Sequence, residues 1–414
     1  MRIMDLLSKI NSNSAEVSVI GLGYIGLPTS IFVAESGYRV HGVDIKEDLI
    51  EKINNCTLNI TEPGLKKLLE KNVKNGRIKA SSSYKESDIF LICVPTPLSD
   101  RKADLSYVKK AGESISKVLK EDNLVILEST VPPETTEKVL IPILETSGLK
   151  NDEDFFTAFC PERVLPGRIT EEMINNDRII GGSENSRNLA LKFYKKFVKG
   201  EIYLTDLKTA EIVKLMENTF RSVNIALANE LALACEKLKI DFFEARELAN
   251  KHPRVNIHEA GTGVGGHCIP IDPWFIHEKT PMRMIPIAME INESMPLHVV
   301  DLIKKSNAKN VLILGMAYKK NTDDTRKTPV LKIIEELKKE NIDYSVYDPY
   351  VKMNELDPEG CDALLIATDH DCFKSIDWRE IKRKMKRPLI IDGRNFFEKE
   401  EAEKMGFEYI GVGK

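Results

Sequence analysis

Short, largely apolar runs alternate with amphipathic stretches along the first part of the chain. Residues 17–20, 39–43, 89–94, 124–127 and 155–160 have the pattern of strands buried on both faces of a parallel sheet. Residues 27–36, between the first two runs, read as a helix. A second series follows at 310–315, 344–347, 363–367 and 389–392, with a helix predicted over 330–340. From Lys208 to Lys239 there is neither Pro nor Gly, and Ile212, Leu215, Met216, Phe220, Val223, Ile225, Leu227, Leu231, Leu233 and Ala234 recur at helical intervals. That stretch predicts one helix of about 45 Å at 1.5 Å per residue, a spine between two α/β regions and a candidate subunit interface. The expected fold is α/β, with two Rossmann-like parallel-sheet domains joined by a long central helix and a helical middle domain. The expected division is 1–205, 206–305 and 306–414.

Composition narrows the function classes. The 414 residues exceed what one core serves. Sixty basic residues against 64 acidic ones leave a net charge of -4, which argues against a nucleic-acid or anionic-membrane partner. Seven cysteines at 56, 93, 160, 235, 268, 361 and 372 form no CxxC pair. Neither a disulfide framework nor a metal site is indicated, and a reducing cytoplasm fits. The opening residues lack the pattern of a signal peptide, and the most apolar stretch is broken by Gly21, Gly23, Gly26 and Pro28.

The first chemistry-bearing motif is Gly21-Leu22-Gly23-Tyr24-Ile25-Gly26, set between a predicted strand and a predicted helix. Such a turn points a helix N-terminus at a pyrophosphate. Asp44 ends the next strand, eighteen residues after Gly26. A carboxylate there accepts hydrogen bonds from ribose hydroxyls and disfavours a 2′-phosphate, so NAD is the expected cofactor. Thr96 and Thr130 follow later strand ends and are candidates for the nicotinamide end, with strand capping as the alternative. His41 and Cys93 are expected in the core. Glu162 and Arg163 stand where polar groups meet a substrate in such folds, unless they form a surface ion pair.

On the long helix Lys214, Asn218 and Arg221 share one face, suited to moving a proton and stabilising an oxyanion unless it is merely a solvated face. His252 and Arg254 flank the Pro253 break that leads to Gly263-Val264-Gly265-Gly266-His267-Cys268-Ile269-Pro270-Ile271-Asp272. A thiol in a glycine-padded turn, four residues before a carboxylate, suits a nucleophile whose glycines clear a path for substrate. A buried structural cysteine is the alternative. The later α/β region has Gly315 but lacks the full glycine fingerprint, so sugar-phosphate binding with Lys319 and Arg394 is expected there rather than a second NAD.

The segments GLGYIGLP (21–28), VPTP (94–97), ESTVPP (128–133), GVGGHCIPIDP (263–273) and GMAYKKNTDDTR (315–326) resemble the nucleotide-sugar 6-dehydrogenases, which include UDP-glucose and GDP-mannose dehydrogenases. The segments at 160–167, 176–182, 214–231 and 249–257 are most similar to the branch acting on UDP-N-acetyl-D-mannosamine. The resemblance implies oxidation of a sugar C6 alcohol to the acid with two NAD per turnover, through a thiohemiacetal and a thioester on Cys268, for glycan synthesis. It implies Lys214 as proton donor and acceptor, Asn218 as the group polarising the C6 oxygen, Asp272 as an orienting group and Glu162 in thioester hydrolysis. Tyr24, Ile25, Asp44, Thr96 and Thr130 become NAD contacts, and Arg326 resembles a residue that reaches NAD from a neighbouring subunit. Arg163, Val164, Lys214, Asn218, Arg221, His252, Arg254, Gly265, Tyr318, Lys319 and Arg394 become UDP-sugar contacts. A homodimer or dimer of dimers follows. Pro166 departs from the UDP-glucose pattern, which has a second glutamate there. A UDP-N-acetylglucosamine or UDP-glucose dehydrogenase, a single-hydride hydroxyacid dehydrogenase and a non-catalytic nucleotide-sugar sensor are the rival readings.

Overall fold

A computed structural model describes residues 3–57, 62–165, 167–351 and 353–414; Pro166 lies outside them. The chain divides into two compact units. One takes the chain up to Glu217 together with Trp274–Pro281, the other Asn218–Pro273 and Met282–Lys414.

The first unit is built on a sheet of eight strands: β1 (Glu16–Ile20), β2 (Arg39–Val43), β3 (Ile78–Ser81), β4 (Ile89–Ile92), β5 (Leu124–Leu127), β6 (Phe156–Phe159), β7 (Arg178–Gly182) and β8 (Ile202–Thr205). Their spatial order is β8-β7-β6-β5-β4-β1-β2-β3, and all pairs are parallel except β6 with β7. Alternation along each strand feeds two apolar layers. Val17, Val19, Leu91, Leu124 and Ile126 join one with Ile31 and Phe193, while Ile20, Phe90, Ile92, Val125 and Leu127 join the other with Val108 and Leu140. The strand order reverses between β1 and β4, which opens the ligand crevice of such sheets at the carboxyl ends of those two strands.

The second unit carries five parallel strands: β9 (Asn310–Leu314), β10 (Asp343–Tyr347), β11 (Ala363–Ile366), β12 (Leu389–Asp392) and β13 (Glu408–Gly411), in the order β10-β9-β11-β12-β13. Its helices include Asn218 onward of Leu207–Leu238, then Phe242–Ala249, Met284–Lys305 and Pro329–Lys339. The long helix therefore forms as its lack of breakers predicts. Its apolar positions divide: Leu215, Ala226, Ala228 and Ala232 are buried, whereas Met216, Phe220, Leu227 and Leu231 are exposed. Among the described residues no helix is long and apolar enough to cross a membrane.

The two sheets treat an equivalent acid differently. In both units the strand beside the first carries an aspartate just past its end, Asp44 after β2 and Asp348 after β10. Asp44 is half-buried. It accepts the backbone N–H groups of Leu22 at 2.8 Å and Lys46 at 3.0 Å. Asp348 is fully buried. Its Oδ2 accepts Met316 N–H at 2.7 Å, Ala317 N–H at 2.9 Å and His370 Nε2 at 3.1 Å. Burial works against its charge, but the His370 ring and these N–H groups outweigh it and hold the carboxyl at about 2. Because the folded value is depressed, the stabilisation is complete above the unfolded carboxyl's range and is lost as pH falls through about 2. Comparison of wild type with Asp348→Asn by urea unfolding is expected to show a stability gap that narrows by about 2 kcal/mol between pH 5 and pH 2. A gap independent of pH contradicts the assignment.

Candidate active site

At the glycine turn, Gly21 N–H bonds to the carbonyl of Val43 at 2.7 Å, tying the turn to β2. A Cβ on Gly26 would stand 1.8 Å from the Gly21 carbonyl oxygen, so the helix Gly26–Glu35 abuts the turn only because that side chain is missing. A Cβ on Gly23 would meet nothing within 4 Å. That open, exposed backbone, at the start of a helix and beside the Asp44 carboxylate, is a cradle that fits a dinucleotide's phosphates and ribose. Tyr24 and Ile25 are half-buried beside it. Tyr24 donates its hydroxyl to Glu62 at 3.1 Å. Thr96 donates to the Thr130 carbonyl at 2.5 Å, so the two strand-end threonines are neighbours, and the bond caps the end of β5.

Glu62 was not singled out by its sequence context. Its buried carboxylate also accepts the N–H groups of Gly167 and Ile169, which anchors the turn after β6 to the dinucleotide turn. Glu162 at the start of that turn is no surface group: it is buried and pairs with buried Arg178 at 2.5 Å. Arg163 turns away to Glu217 at 2.6 Å and to the Asp177 carbonyl, and half-buried Val164 packs on the core. Behind Glu162 lies Glu128, also fully enclosed, which accepts from Tyr194 at 2.5 Å, Cys93 at 3.1 Å and Thr29 at 3.3 Å. Burial raises the Glu128 carboxyl above its ordinary range despite Arg178. It pushes the Cys160 thiol up to about 12 and that of Cys93 well above its usual value. Burial opposes the Arg178 charge, but the Glu162 carboxylate, with Glu128, outweighs it and keeps the guanidinium cationic. His41 differs from its expected core place: half-buried, it bonds the Ser83 carbonyl at 2.9 Å.

On the long helix, Lys214 is 7% exposed and Asn218 lies fully buried one turn later. Asn218 Nδ2 donates to Asp272 Oδ2, and Asn218 Oδ1 accepts from Arg221. A chain from Arg221 through Asn218 to Asp272 thus fixes the amide's orientation, since donor and acceptor ends are both committed. Asp272 is 3% exposed and begins the helix Asp272–Lys279. Its N–H bonds back to the Cys268 carbonyl at 2.8 Å. Cys268 is exposed, unlike the buried structural cysteine that the turn alone allowed. Partial burial first, and then the Arg326 charge, lower the neighbouring His267 imidazole below its ordinary value.

The glycines before Cys268 make room for protein. A Cβ on Gly265 would lie 2.7 Å from the Tyr318 Cβ, and one on Gly266, at φ +87°, would lie 2.8 Å from the Tyr318 ring. Gly266 N–H bonds to the Arg326 carbonyl at 3.1 Å. The space that the sequence assigned to a substrate's approach on the Cβ side is therefore filled by the loop after β9. Arg326 forks onto Asp324 at 2.8 and 2.6 Å. Lys319 is half-buried in that loop. Arg394 pairs with Asp369 at 3.1 Å and packs over Gly261. His252 and Arg254 are on an exposed stretch after helix Phe242–Ala249, where the His252 ring accepts Arg254 N–H at 3.3 Å.

Comparison with known proteins identifies the family. Three family models of the UDP-glucose/GDP-mannose dehydrogenase family match in order: the NAD binding domain over 15–198, the central domain over 208–294 and the UDP binding domain over 312–399. The chain is 46% identical to the UDP-N-acetyl-D-mannosamine dehydrogenase of Pyrococcus horikoshii, covering 96% of this chain and 99% of that protein. A solved structure of the P. horikoshii dehydrogenase superposes with a TM-score of 0.92 over the same shares. Identity to the enzyme of the same name from Methanocaldococcus jannaschii is 45%, over 98% and 99% of the two chains. The UDP-N-acetyl-mannosamine dehydrogenase structure from Staphylococcus aureus gives a TM-score of 0.89 at 41% identity, covering 97% of this chain and 98% of that one. With a dinucleotide cradle in one unit and a held cysteine turn in the other, this chain belongs to the UDP-glucose/GDP-mannose dehydrogenase family and is an NAD-dependent nucleotide-sugar dehydrogenase.

Proposed function

We propose that the protein oxidises UDP-N-acetyl-D-mannosamine at C6 to UDP-N-acetyl-D-mannosaminuronate, with Cys268 as the covalent nucleophile. The observation that carries this reading is the exposed Cys268, whose backbone carbonyl accepts the N–H of Asp272, the residue whose buried carboxylate ends the Arg221–Asn218–Asp272 chain. The sugar is taken from relatives at 44 to 46% identity that act on UDP-N-acetyl-D-mannosamine by name. NAD would be held at Gly21, Gly23, Tyr24, Ile25, Gly26, Asp44, Thr96 and Thr130, and when bound would supply the hydride acceptor for each of two oxidations. Lys214 takes the alcohol's proton as the C6 hydride leaves. One Asn218 amide hydrogen is used on Asp272, and the second addresses the C6 oxygen. The Cys268 thiolate then adds to the aldehyde carbon, and the oxygen is protonated to a thiohemiacetal. Loss of the second hydride and of the hydroxyl proton leaves a thioester. Water, oriented by Asp272 and Glu162, attacks it, the C–S bond breaks, and the carboxylate departs with the thiol regenerated. The tether keeps the aldehyde on the protein while the cofactor is exchanged.

The division 1–205, 206–305 and 306–414 then separates NAD binding, the helical middle with the cysteine turn, and UDP-sugar binding. Arg163, Val164, Arg221, His252, Arg254, Gly265, Tyr318, Lys319 and Arg394 are the proposed substrate contacts, and Arg326 a contact to the neighbouring subunit's cofactor. The reaction belongs in the cytoplasm, where the thiol stays reduced. Homodimerisation is supported by Phe220 (55% exposed), Leu227 (47%), Leu248 (64%) and Ile287 (59%), large apolar side chains that a single chain leaves in water.

With UDP-N-acetylmannosamine, two NADH are expected per sugar consumed. Cys268→Ala is expected to abolish acid formation, and UDP-glucose and UDP-N-acetylglucosamine to react poorly in the same NADH assay. Full acid formation by Cys268→Ala favours a single-hydride or untethered enzyme, and failure of the mannosamine sugar alone removes the substrate assignment. Light scattering is expected to give twice the chain mass, and Phe220→Glu combined with Leu227→Glu to shift it to monomer. A wild-type monomer rules out the dimer.

A further inference from the structure

The loop on which the cysteine turn rests has its own support. Between β9 and the helix Pro329–Lys339, residues 315–328 provide Tyr318 beneath Gly265 and Gly266 and the Arg326 carbonyl for Gly266 N–H. Within the loop Tyr318 N–H bonds to the Asp324 carbonyl at 3.0 Å, and the Arg326 side chain closes on Asp324. Burial first, and then the Asp324 and Cys268 charges, raise the Tyr318 hydroxyl to about 12. Through its packing under Gly265 and Gly266, Tyr318 couples the loop to the cysteine turn.

The first half of the loop is pinned from below. Thr368 Oγ1 donates to the Ala317 carbonyl at 2.6 Å, and Asp348 accepts the N–H groups of Met316 and Ala317. His370, fully buried, spans the gap. Its Nδ1 accepts the Asn321 backbone N–H at 2.9 Å, and its Nε2 meets Asp348 Oδ2 at 3.1 Å. A backbone N–H can only donate, so Nδ1 must carry a lone pair. The ring proton then sits on Nε2, where Asp348 can accept it. Tyr350 stacks on the ring at 4.8 Å, and Phe373 closes the other side edge-on at 5.2 Å. Asn321 has φ +58°, a left-handed conformation that asparagine tolerates, and its side chain bonds both the Asp371 carboxylate and the Asp371 N–H.

We propose that His370 is a positioning residue for Cys268: as the neutral Nε2–H tautomer it couples Asp348 to the Asn321 backbone, and so fixes the Tyr318 loop on which the cysteine turn is seated. The proposal rests on Cys268 being the nucleophile, but the bond network by which His370 acts does not. Asp348 retains four backbone donors without His370, whereas Asn321 N–H has the imidazole as its acceptor. Loss of the ring therefore releases the loop more than it releases the aspartate.

Two variants test this. His370→Leu removes both bonds, and His370→Gln restores a donor for Asp348 on a side chain of comparable reach. In substrate-free protein, the rate of Cys268 alkylation by iodoacetamide, followed by mass spectrometry of its peptide, is expected to change about tenfold in His370→Leu, because small displacements of a reacting group have large rate effects. Oxidation of the UDP-sugar 6-aldehyde is expected to fall by a similar factor while the first hydride transfer from the alcohol is retained, with His370→Gln intermediate in both. Should the Leu variant not fold, the Gln variant is compared with wild type in the same two assays. A lowered melting temperature with unchanged Cys268 alkylation and an unchanged ratio of the two oxidation steps overturns the proposal and leaves His370 as a packing residue. If Cys268→Ala retains acid formation, the nucleophile reading fails separately, and the alkylation rates still report whether His370 positions the turn.

Discussion

Two missing side chains hold the cysteine turn where it is. With a Cβ on Gly265 or Gly266, Tyr318 could not occupy its place, the bond from Gly266 N–H to the Arg326 carbonyl would be lost, and Cys268 would have no fixed seat. This close approach of two backbones gives the thiol its combination of exposure and definition. A flexible exposed cysteine is merely reactive, whereas one whose loop is packed on another loop can be aimed. Asp272 and Asn218 extend the same logic to the turn's far end, where a buried carboxylate and a buried amide orient one another.

The unit with the dinucleotide cradle depends on a different constraint. Glu128, Arg178, Glu162 and Tyr194 are all withdrawn from water, and a charge there needs partners within bonding distance. Arg178 stands between two carboxylates and against the Tyr194 ring, 5.4 Å from its centroid. Removing it would strand Glu162 without a counter-ion, a change that costs about 3–5 kcal/mol for buried pairs. The same cluster reaches Thr29 on the helix that opens at the glycine turn, so the cradle and the Glu162 turn share one electrostatic foundation.

Comparison of Asp44 with Asp348 shows how one topology yields two kinds of site. Each acid follows the strand adjacent to the first and accepts backbone N–H from the turn after that first strand, Leu22 at Asp44 and Met316 and Ala317 at Asp348. Asp44 stays half in water, available to a ribose. Asp348 is sealed by His370 and Tyr350, so its carboxylate is spent on the protein's own backbone, and the second sheet uses its crevice to brace a loop. This is a physical reason, beyond the incomplete glycine motif, for the second unit to lack a dinucleotide's acid contact.

Much of this was legible in the chain. Strands buried on both faces advertise themselves as apolar runs, so β1, β2, β4, β5 and β6 and all but the last strand of the second sheet could be read, as could the breaker-free helix Leu207–Leu238 and the spacing of Lys214, Asn218 and Arg221. Strands β3, β8 and β13, with exposed positions along their length, and β7, which begins in an arginine and ends in two glycines, carry no such signal. Spacing also does not name partners. That Glu162 pairs with Arg178 and not its neighbour Arg163, that Glu62 anchors the Glu162 turn, and that His370 braces the loop under Cys268 are consequences of which strand ends meet. The sequence by itself determined the long helix, the strands buried on both faces, the cofactor motif and the reactive residue types, because these depend on local periodicity and chemistry. Only the tertiary structure decided that Tyr318 fills the space at Gly265 and Gly266, and which polar groups are buried together, because burial and pairing arise from contacts between distant segments.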